Sequence, residues 1–254
     1  MNKKVIYTCL VGNYDTLNQP VVVDDTFDYL CFSNDINETK IGVWEIRNIP
    51  YETSDDIRLS RYVKLMPHEV LSEYDYSLWM DANLQITGCK FYKIVNEKMK
   101  TGDKVYQVDH CFPKCDCVYK EMEYAFSLGR SGFIETTKQF DHVRKSGFPK
   151  HWGLYENNLI LRKHNDPLVI KMSNEWWQEY IHFSKRDQFS LVYVYWKNSF
   201  KPNLLFLPGE NTRNVPFVKW HYHSMIKQNI VNKVIFYIEK KFRLLIWRIY
   251  TFVK

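Results

Sequence analysis

No apolar run in the chain is long and charge-free enough to span a membrane as a helix. No internal repeat, low-complexity linker or composition break divides the sequence before its C-terminal tail. A secretory leader is not expected either. Lys3 and Lys4 precede an apolar stretch, Val5 to Val11, but it is very short, lacks a small-residue cleavage site and runs into the turn Gly12-Asn13-Tyr14-Asp15. The six cysteines, Cys9, Cys31, Cys89, Cys111, Cys115 and Cys117, include no paired Cys-x-x-Cys and form no disulfide framework. That pattern fits a reducing cytosol, with Cys9 and Cys31 as small core residues inside apolar runs. Acid is nearly missing from the tail. Between Ile226 and Lys254, seven Lys and Arg stand against Glu239 alone, which accounts for the whole net charge of +6. The body then carries 28 of the 35 basic and 28 of the 29 acidic residues, so it is neutral and gives no footprint for nucleic acid.

What is present suits a folded α/β protein. The 254 residues hold 45% hydrophobic and 25% charged residues, enough for one large domain or two small ones. Aromatics reach 17%, consistent either with aromatic-lined ligand sites or with a membrane interface. We expect one α/β domain over 1–225 and a basic, aromatic amphipathic tail over 226–254.

The chain is organised around Tyr74 to Ile86. Tyr76 to Met80 has the length and residue types of a buried strand, and it stops at Asp81-Ala82-Asn83 before apolar residues resume at Leu84 and Ile86. A strand ending in two oxygen donors presents them at a sheet edge, where open α/β sheets bind ligands. Two hard oxygens at this spacing suit Mg²⁺ or Mn²⁺. An ordinary Asp/Asn turn reads the same way.

Taken in order, Lys4 to Leu10, Asp28 to Ser33 and Val43 to Ile46 read as strands. Asp35, past the second, suits a nucleoside hydroxyl or a turn. Ser54 is expected to cap a helix in which Arg58, Arg61 and Lys64 point broadly to one side, as a solvated face or as a diphosphate clamp, with Pro67-His68 at its break. Phe91 to Met99, Cys117 to Leu128 and Glu135 to Ser146 read as helices, and Val105 to Val108 as a strand ending near His110, which is placed either at substrate or in a structural hydrogen bond. Pro149 to Leu161 reads as a loop in which Trp152 forms a sugar platform or a core anchor and Glu156-Asn157 meet hydroxyls. Asn165-Asp166-Pro167 opens a helix to about Ile181, and Arg186-Asp187-Gln188 starts the next, as capping or as groups aimed at a reacting centre. Leu204 to Leu207 is a late strand, and His221 and His223 offer imidazoles to a metal. The tail reads as an interfacial helix on an anionic leaflet, or as a terminal helix packed on protein.

Trp79-Met80-Asp81-Ala82-Asn83, the preceding Arg58/Arg61/Lys64 helix with Pro67-His68, Glu156-Asn157 with Arg162, Trp176-Trp177 and Arg186-Asp187-Gln188 form one ordered set. In that order, over roughly Val5 to His223, the chain resembles a GT-A-like glycosyltransferase-like family. That family includes the plant mucilage-related and turgor-regulation-defective proteins and bacterial relatives. Asp81-Ala82-Asn83 is similar to its Asp-x-Asn version of the glycosyltransferase Asp-x-Asp motif. Lys114 and Cys115 depart from it, lying where an Arg-containing segment is expected.

The resemblance implies a Rossmann-type mixed sheet flanked by helices, a nucleotide-sugar donor and Mn²⁺ or Mg²⁺; beside it we expect a UDP-sugar as the donor and, from the basic tail, a glycan or lipid-linked acceptor in surface polysaccharide assembly. On this expectation Asp81 and Asn83, with His221 or His223, hold the metal. Asp35, Arg58, Arg61 and Lys64 bind the donor with them, while Trp152, Glu156, Asn157 and His110 face sugar or acceptor. Asp187, flanked by Arg186 and Gln188, is a base if the enzyme inverts. If it retains, Asp187 and Gln188 sit beside the anomeric carbon, and the likeness of Arg-Asp-Gln to the Asp-Gln element of several retaining enzymes points that way. The tail places the enzyme on the inner face of the membrane. Ceramide-type or glycoside hydrolysis, and a non-catalytic glycan- or membrane-binding module, are the competing expectations.

Overall fold

A computed structural model describes residues 3–12, 15–110, 115–222 and 230–253. Strand β1 (Lys4–Cys9) is rich in β-branched and aromatic residues and buried on both faces, as a central strand needs. It pairs in parallel with β2 (Asp28–Phe32) on one side, and β2 pairs in parallel with β4 (Trp44–Arg47), edged by the short β3 (Lys40–Ile41). Helices α1 (Asp56–Leu65) and α2 (Pro67–Val70) then lead to β5 (Tyr76–Met80), which joins β1 in parallel on its other side.

After β6 (Leu84–Ile86) and α3 (Lys90–Thr101) come β7 (Val105–Asp109), α4 (Val118–Ser127) and α5 (Phe133–Lys145). Strand β8 (Tyr155–Arg162) inserts antiparallel between β5 and β7. Helix α6 (Pro167–His182), a 3₁₀ turn at Asp187–Phe189, α7 (Leu191–Lys197), β9 (Asn203–Leu204), β10 (Val218–Trp220) and α8 (Ile230–Val253) complete the order. The main sheet runs β3-β4-β2-β1-β5-β8-β7-β9, and β10 pairs with β6 beside it. This is the Rossmann-type mixed sheet, flanked by helices, that the sequence pointed to.

Period-two alternation divides the core. Val5, Tyr7, Trp79 and Ile160 face α1, α6 and α7, whereas Ile6, Leu78, Met80, Leu159 and Leu161 face α3 and the β6–β10 ribbon. A third cluster gathers α4, α5 and α7 around Phe140, Phe148 and Phe189. The parallel strands β1, β2 and β5 all end on one edge of the sheet, so the turns after Cys9, Phe32 and Met80 lie together.

Several sequence expectations are corrected. The α1 cap is Asp55, one residue after Ser54: its extended backbone lets the carboxylate accept the Arg58 amide at 3.2 Å. Tyr155 to Leu161 is a central strand instead of a loop, because Leu159, Ile160 and Leu161 fill both core faces. Arg186-Asp187-Gln188 begins a 3₁₀ turn, with α7 starting only at Leu191. The late strand shortens to two residues. Helix α8 packs on α4 and α5: Trp247 lies 5.8 Å from Phe126 and 5.4 Å from Phe140, ring to ring, and is only 3% exposed.

Candidate active site

Asp81 follows the carboxyl end of β5. Its amide donates to the Asn158 carbonyl at 2.9 Å, and its own carbonyl accepts the Leu84 amide at 2.9 Å, closing a tight turn between β5 and β6. The Trp79 indole N–H donates to Asp81 Oδ1 at 2.7 Å, so the strand's own aromatic orients the carboxylate. Lys64, from the last turn of α1, reaches the same oxygen at 3.5 Å and Asp187 Oδ2 at 2.6 Å. Arg61, one turn earlier, lies 3.7 Å from Asp187 Oδ2. Two cations and two carboxylates from three elements thus form one charge cluster.

Its electrostatics follow from burial against pairing. Burial alone pushes the Asp187 carboxyl up, but the charges of Lys64 and Arg61 outweigh it and hold the group far below the usual carboxylate range. Burial likewise opposes charge on Arg61, and Asp187 and Asp81 reverse the effect and raise it. Asp187 is therefore a fixed negative charge. The helix carrying the cations is itself anchored, since buried Arg162 donates to the Lys64 carbonyl at 2.8 Å and to the Tyr7 hydroxyl.

Asp35 lies on the same sheet edge. Its Oδ2 accepts the Gly12 amide at 2.7 Å, which joins the turns after β1 and β2. Gly12 has φ +71°, and a Cβ there would come within 2.8 Å of Asp56 Oδ2 at the start of α1, so glycine is required. Leu10, Asp15, Leu17, Ser33, Asp35 and Ile41 help line a cleft of about 310 Å³ at this edge. The Arg58 Nε, buried on α1, has no hydrogen-bond partner among the described residues.

On the other side, β8 is irregular. Gln107 is opposite Ile160 but Val108 is opposite Glu156, so Asn157, Asn158 and Leu159 bulge out of register. Glu156 is buried and ion-paired with Arg213, and its Oε2 accepts from Asn158 at 2.7 Å and Thr212 at 3.3 Å. Asn157 Oδ1 accepts from Gln107 at 3.0 Å, while its buried Nδ2 has no hydrogen-bond partner among the described residues. Trp152 is half-buried against Phe148, with Lys201 over its ring. Gln188 donates to the Tyr155 carbonyl at 2.7 Å. Arg186 turns to buried Glu121, at 3.5 Å, whose carboxyl is raised by burial.

The residues expected from the sequence to hold a metal are partly gathered. Asn83 is buried and donates to the His221 carbonyl at 3.2 Å, and the His221 amide donates to Asn83 at 2.8 Å, so β10 brings His221 beside the motif. The His221 ring, however, uses Nε2 on Gln85 Oε1 at 3.0 Å, leaving Nδ1 as its remaining ligand atom. His223 lies outside the described residues, as does Lys114. His110 sits in a group with Cys115 and Glu121 whose ligand atoms lie within 4.8 Å of one another.

The family model of the TOD1/MUCI70 glycosyltransferase-like domain matches residues 1–223. The chain belongs to that family. It is 28% identical over 198 residues to the probable hexosyltransferase MUCI70 of Arabidopsis thaliana, a match covering 72% of this chain and 33% of that protein. The chain therefore spans about a third of that relative's length. Among solved structures it is similar to the WbbM bifunctional glycosyltransferase in its apo form, with TM-score 0.46 and 10% identity over 82% of this chain and 39% of the other. It is also similar to mouse xyloside xylosyltransferase 1, with TM-score 0.41 and 9% identity over 79% and 84% of the two chains.

Within this TOD1/MUCI70 member, two side chains had not been singled out from sequence. Arg213 neutralises Glu156 and lies 5.0 Å over the Trp220 ring. Its signal was the polar turn Asn211-Thr212-Arg213-Asn214, in which Asn211 accepts the Arg213 amide at 2.9 Å. Glu121 is an acid inside the apolar face of α4, between buried Val118 and Ala125, a position that seldom holds an unpaired charge.

Proposed function

We propose that the chain transfers a sugar from a nucleotide-sugar donor to a hydroxyl of a glycan or lipid-linked acceptor. The observation that carries this is the convergence of Asp81, Lys64, Arg61 and Asp187 at the carboxyl edge of β5, beside the cleft holding Asp35. A nucleoside in that cleft would put its diphosphate toward Arg58, Arg61 and Lys64, where guanidinium and ammonium donors suit phosphate oxygens.

The residues fit Mg²⁺ or Mn²⁺. Both partners of Asp81, Trp79 and Lys64, are on Oδ1, which leaves Oδ2 for a ligand, and the Asn83 side chain stands two positions on, so oxygen donors lie at a sheet edge. A divalent ion held there would act as a Lewis acid on the leaving diphosphate. The Trp79 indole fixes the Asp81 rotamer for this purpose, and Lys64 balances its charge.

Asp187 stays ionised and paired, so it suits stabilising positive charge at an anomeric carbon better than taking a proton. That supports retention over inversion. Glu156, Asn157 and Trp152, on the bulged side, orient the sugar and acceptor hydroxyls, Asn157 with its unused Nδ2.

Thermal shifts of the full chain with UDP, GDP and CMP compounds, with and without Mn²⁺, test the reading. A Mn²⁺-dependent shift with one nucleotide, lost in Asp81→Ala, is expected. No metal-dependent shift from any nucleotide would overturn it.

A further inference from the structure

Helix α8 is apolar on two sides. One side, with Trp247 and Tyr250, is spent on α4 and α5. On the other, Ile235, Ile238, Phe242, Leu245, Ile249 and Phe252 recur at spacings of three and four, which places them on a single stripe. Each of them is between 48% and 92% exposed. Six large apolar side chains in one exposed row need a covering surface.

Charge indicates what covers them. Lys241 and Arg248 flank the stripe one heptad apart and are exposed. Glu239 is the sole acid of the helix and lies 3.5 Å from Arg243. Where α8 meets the body, Arg130 and Arg243 line a cleft of about 390 Å³, so positive charge continues from the helix onto the domain. Two copies joined along the stripe would set Lys241 and Arg248 against each other or against Ile246, never against an acid. An anionic lipid surface answers both the apolar row and its basic flank. No helix among the described residues is long and apolar enough to cross a membrane, which leaves α8 lying along the surface.

We propose that α8 is a membrane-surface helix whose outward stripe enters the interface of an anionic bilayer, with Lys241 and Arg248 at the headgroups and Trp247 holding the domain to it. This rests on the helix alone and is independent of the transfer reaction.

The test is co-sedimentation of the full chain with vesicles of phosphatidylcholine, alone or mixed with phosphatidylserine, at two salt concentrations. Binding to the mixed vesicles only, weakening with salt, is expected. Lys241→Glu with Arg248→Glu lowers that binding at least about tenfold. Phe242→Ser with Ile249→Ser abolishes it, and both variants keep the wild-type melting temperature because these side chains contact solvent. Equal binding to neutral vesicles, or no binding, overturns the proposal. A dimer seen by light scattering that the serine variant turns into a monomer assigns the stripe to a second copy and also overturns it.

Discussion

Lys64 Nζ lies 2.6 Å from Asp187 Oδ2, with side chains 2% and 10% exposed. An ion pair this buried is weak evidence of net stabilisation, yet removing one partner strands the other charge. Lys64→Met is expected to cost about 3 kcal/mol in urea unfolding, at the low end of the range for a broken buried pair because Arg61 remains near Asp187. Adding Asp187→Asn to Lys64→Met should recover part of that loss. A double variant no more stable than Lys64→Met would show that the pair is not coupled.

His164 gives a pH signature away from the site. It is fully buried, its Nε2–H donates to the Leu71 carbonyl at 2.8 Å, and burial lowers its pKa to about 4. The folded value is below the unfolded value near 6.5, so the unfolded chain binds the proton first. The contribution is complete above about pH 6.5 and is lost as pH falls through about 4, amounting to about 3 kcal/mol. Asp187, also depressed, adds a loss in the same direction at lower pH. Unfolding free energies of the wild type and His164→Gln at pH 7.5 and 4.5 check this: the wild type should lose more, by most of that amount.

The Glu156–Arg213 pair should couple measurably. Arg213 is 39% exposed, which screens it, so a double-mutant cycle of Glu156→Gln and Arg213→Ala is expected to give about 1 kcal/mol. Sugar transfer should fall further in Glu156→Gln than in Arg213→Ala, because Arg213 acts through Glu156. The reverse order in a transfer assay would contradict that.

Trp247→Ala should loosen α8 while the sheet holds. Hydrogen exchange is expected to rise across 230–253 and stay unchanged in β1, β5 and β8. Faster exchange in those strands would make α8 part of the same cooperative unit.

Much of this was readable from residue pattern. Tyr76 to Met80 announced a buried strand, and Asp166-Pro167 a helix start whose cap the structure shows accepting the Leu168 amide at 2.9 Å. Strand β8 was not legible as such, because Trp152, Glu156 and Asn157 mark a loop, whereas the bulge opposite Gln107 lets polar residues sit in a central strand. The direction of Lys64 was also hidden. Spacing every three residues put it with Arg58 and Arg61, but only the placement of α1 over β5 drives it inward, to 2% exposure. Pairings across long separations, Glu156 with Arg213 and Arg186 with Glu121, have no local signal.

Arg162 closes the question of how the site's cations respond to a ligand. By binding both the Lys64 carbonyl and the Tyr7 hydroxyl, it rivets the end of α1 to the middle of the sheet. For the proposed transfer, Lys64 and Arg61 would thus be preorganised: their field stands at full strength in the free protein, and little reorganisation would be left for the moment of reaction. A closing motion on substrate would then be a matter for the turns at the sheet edge, with the charged floor of the site staying still.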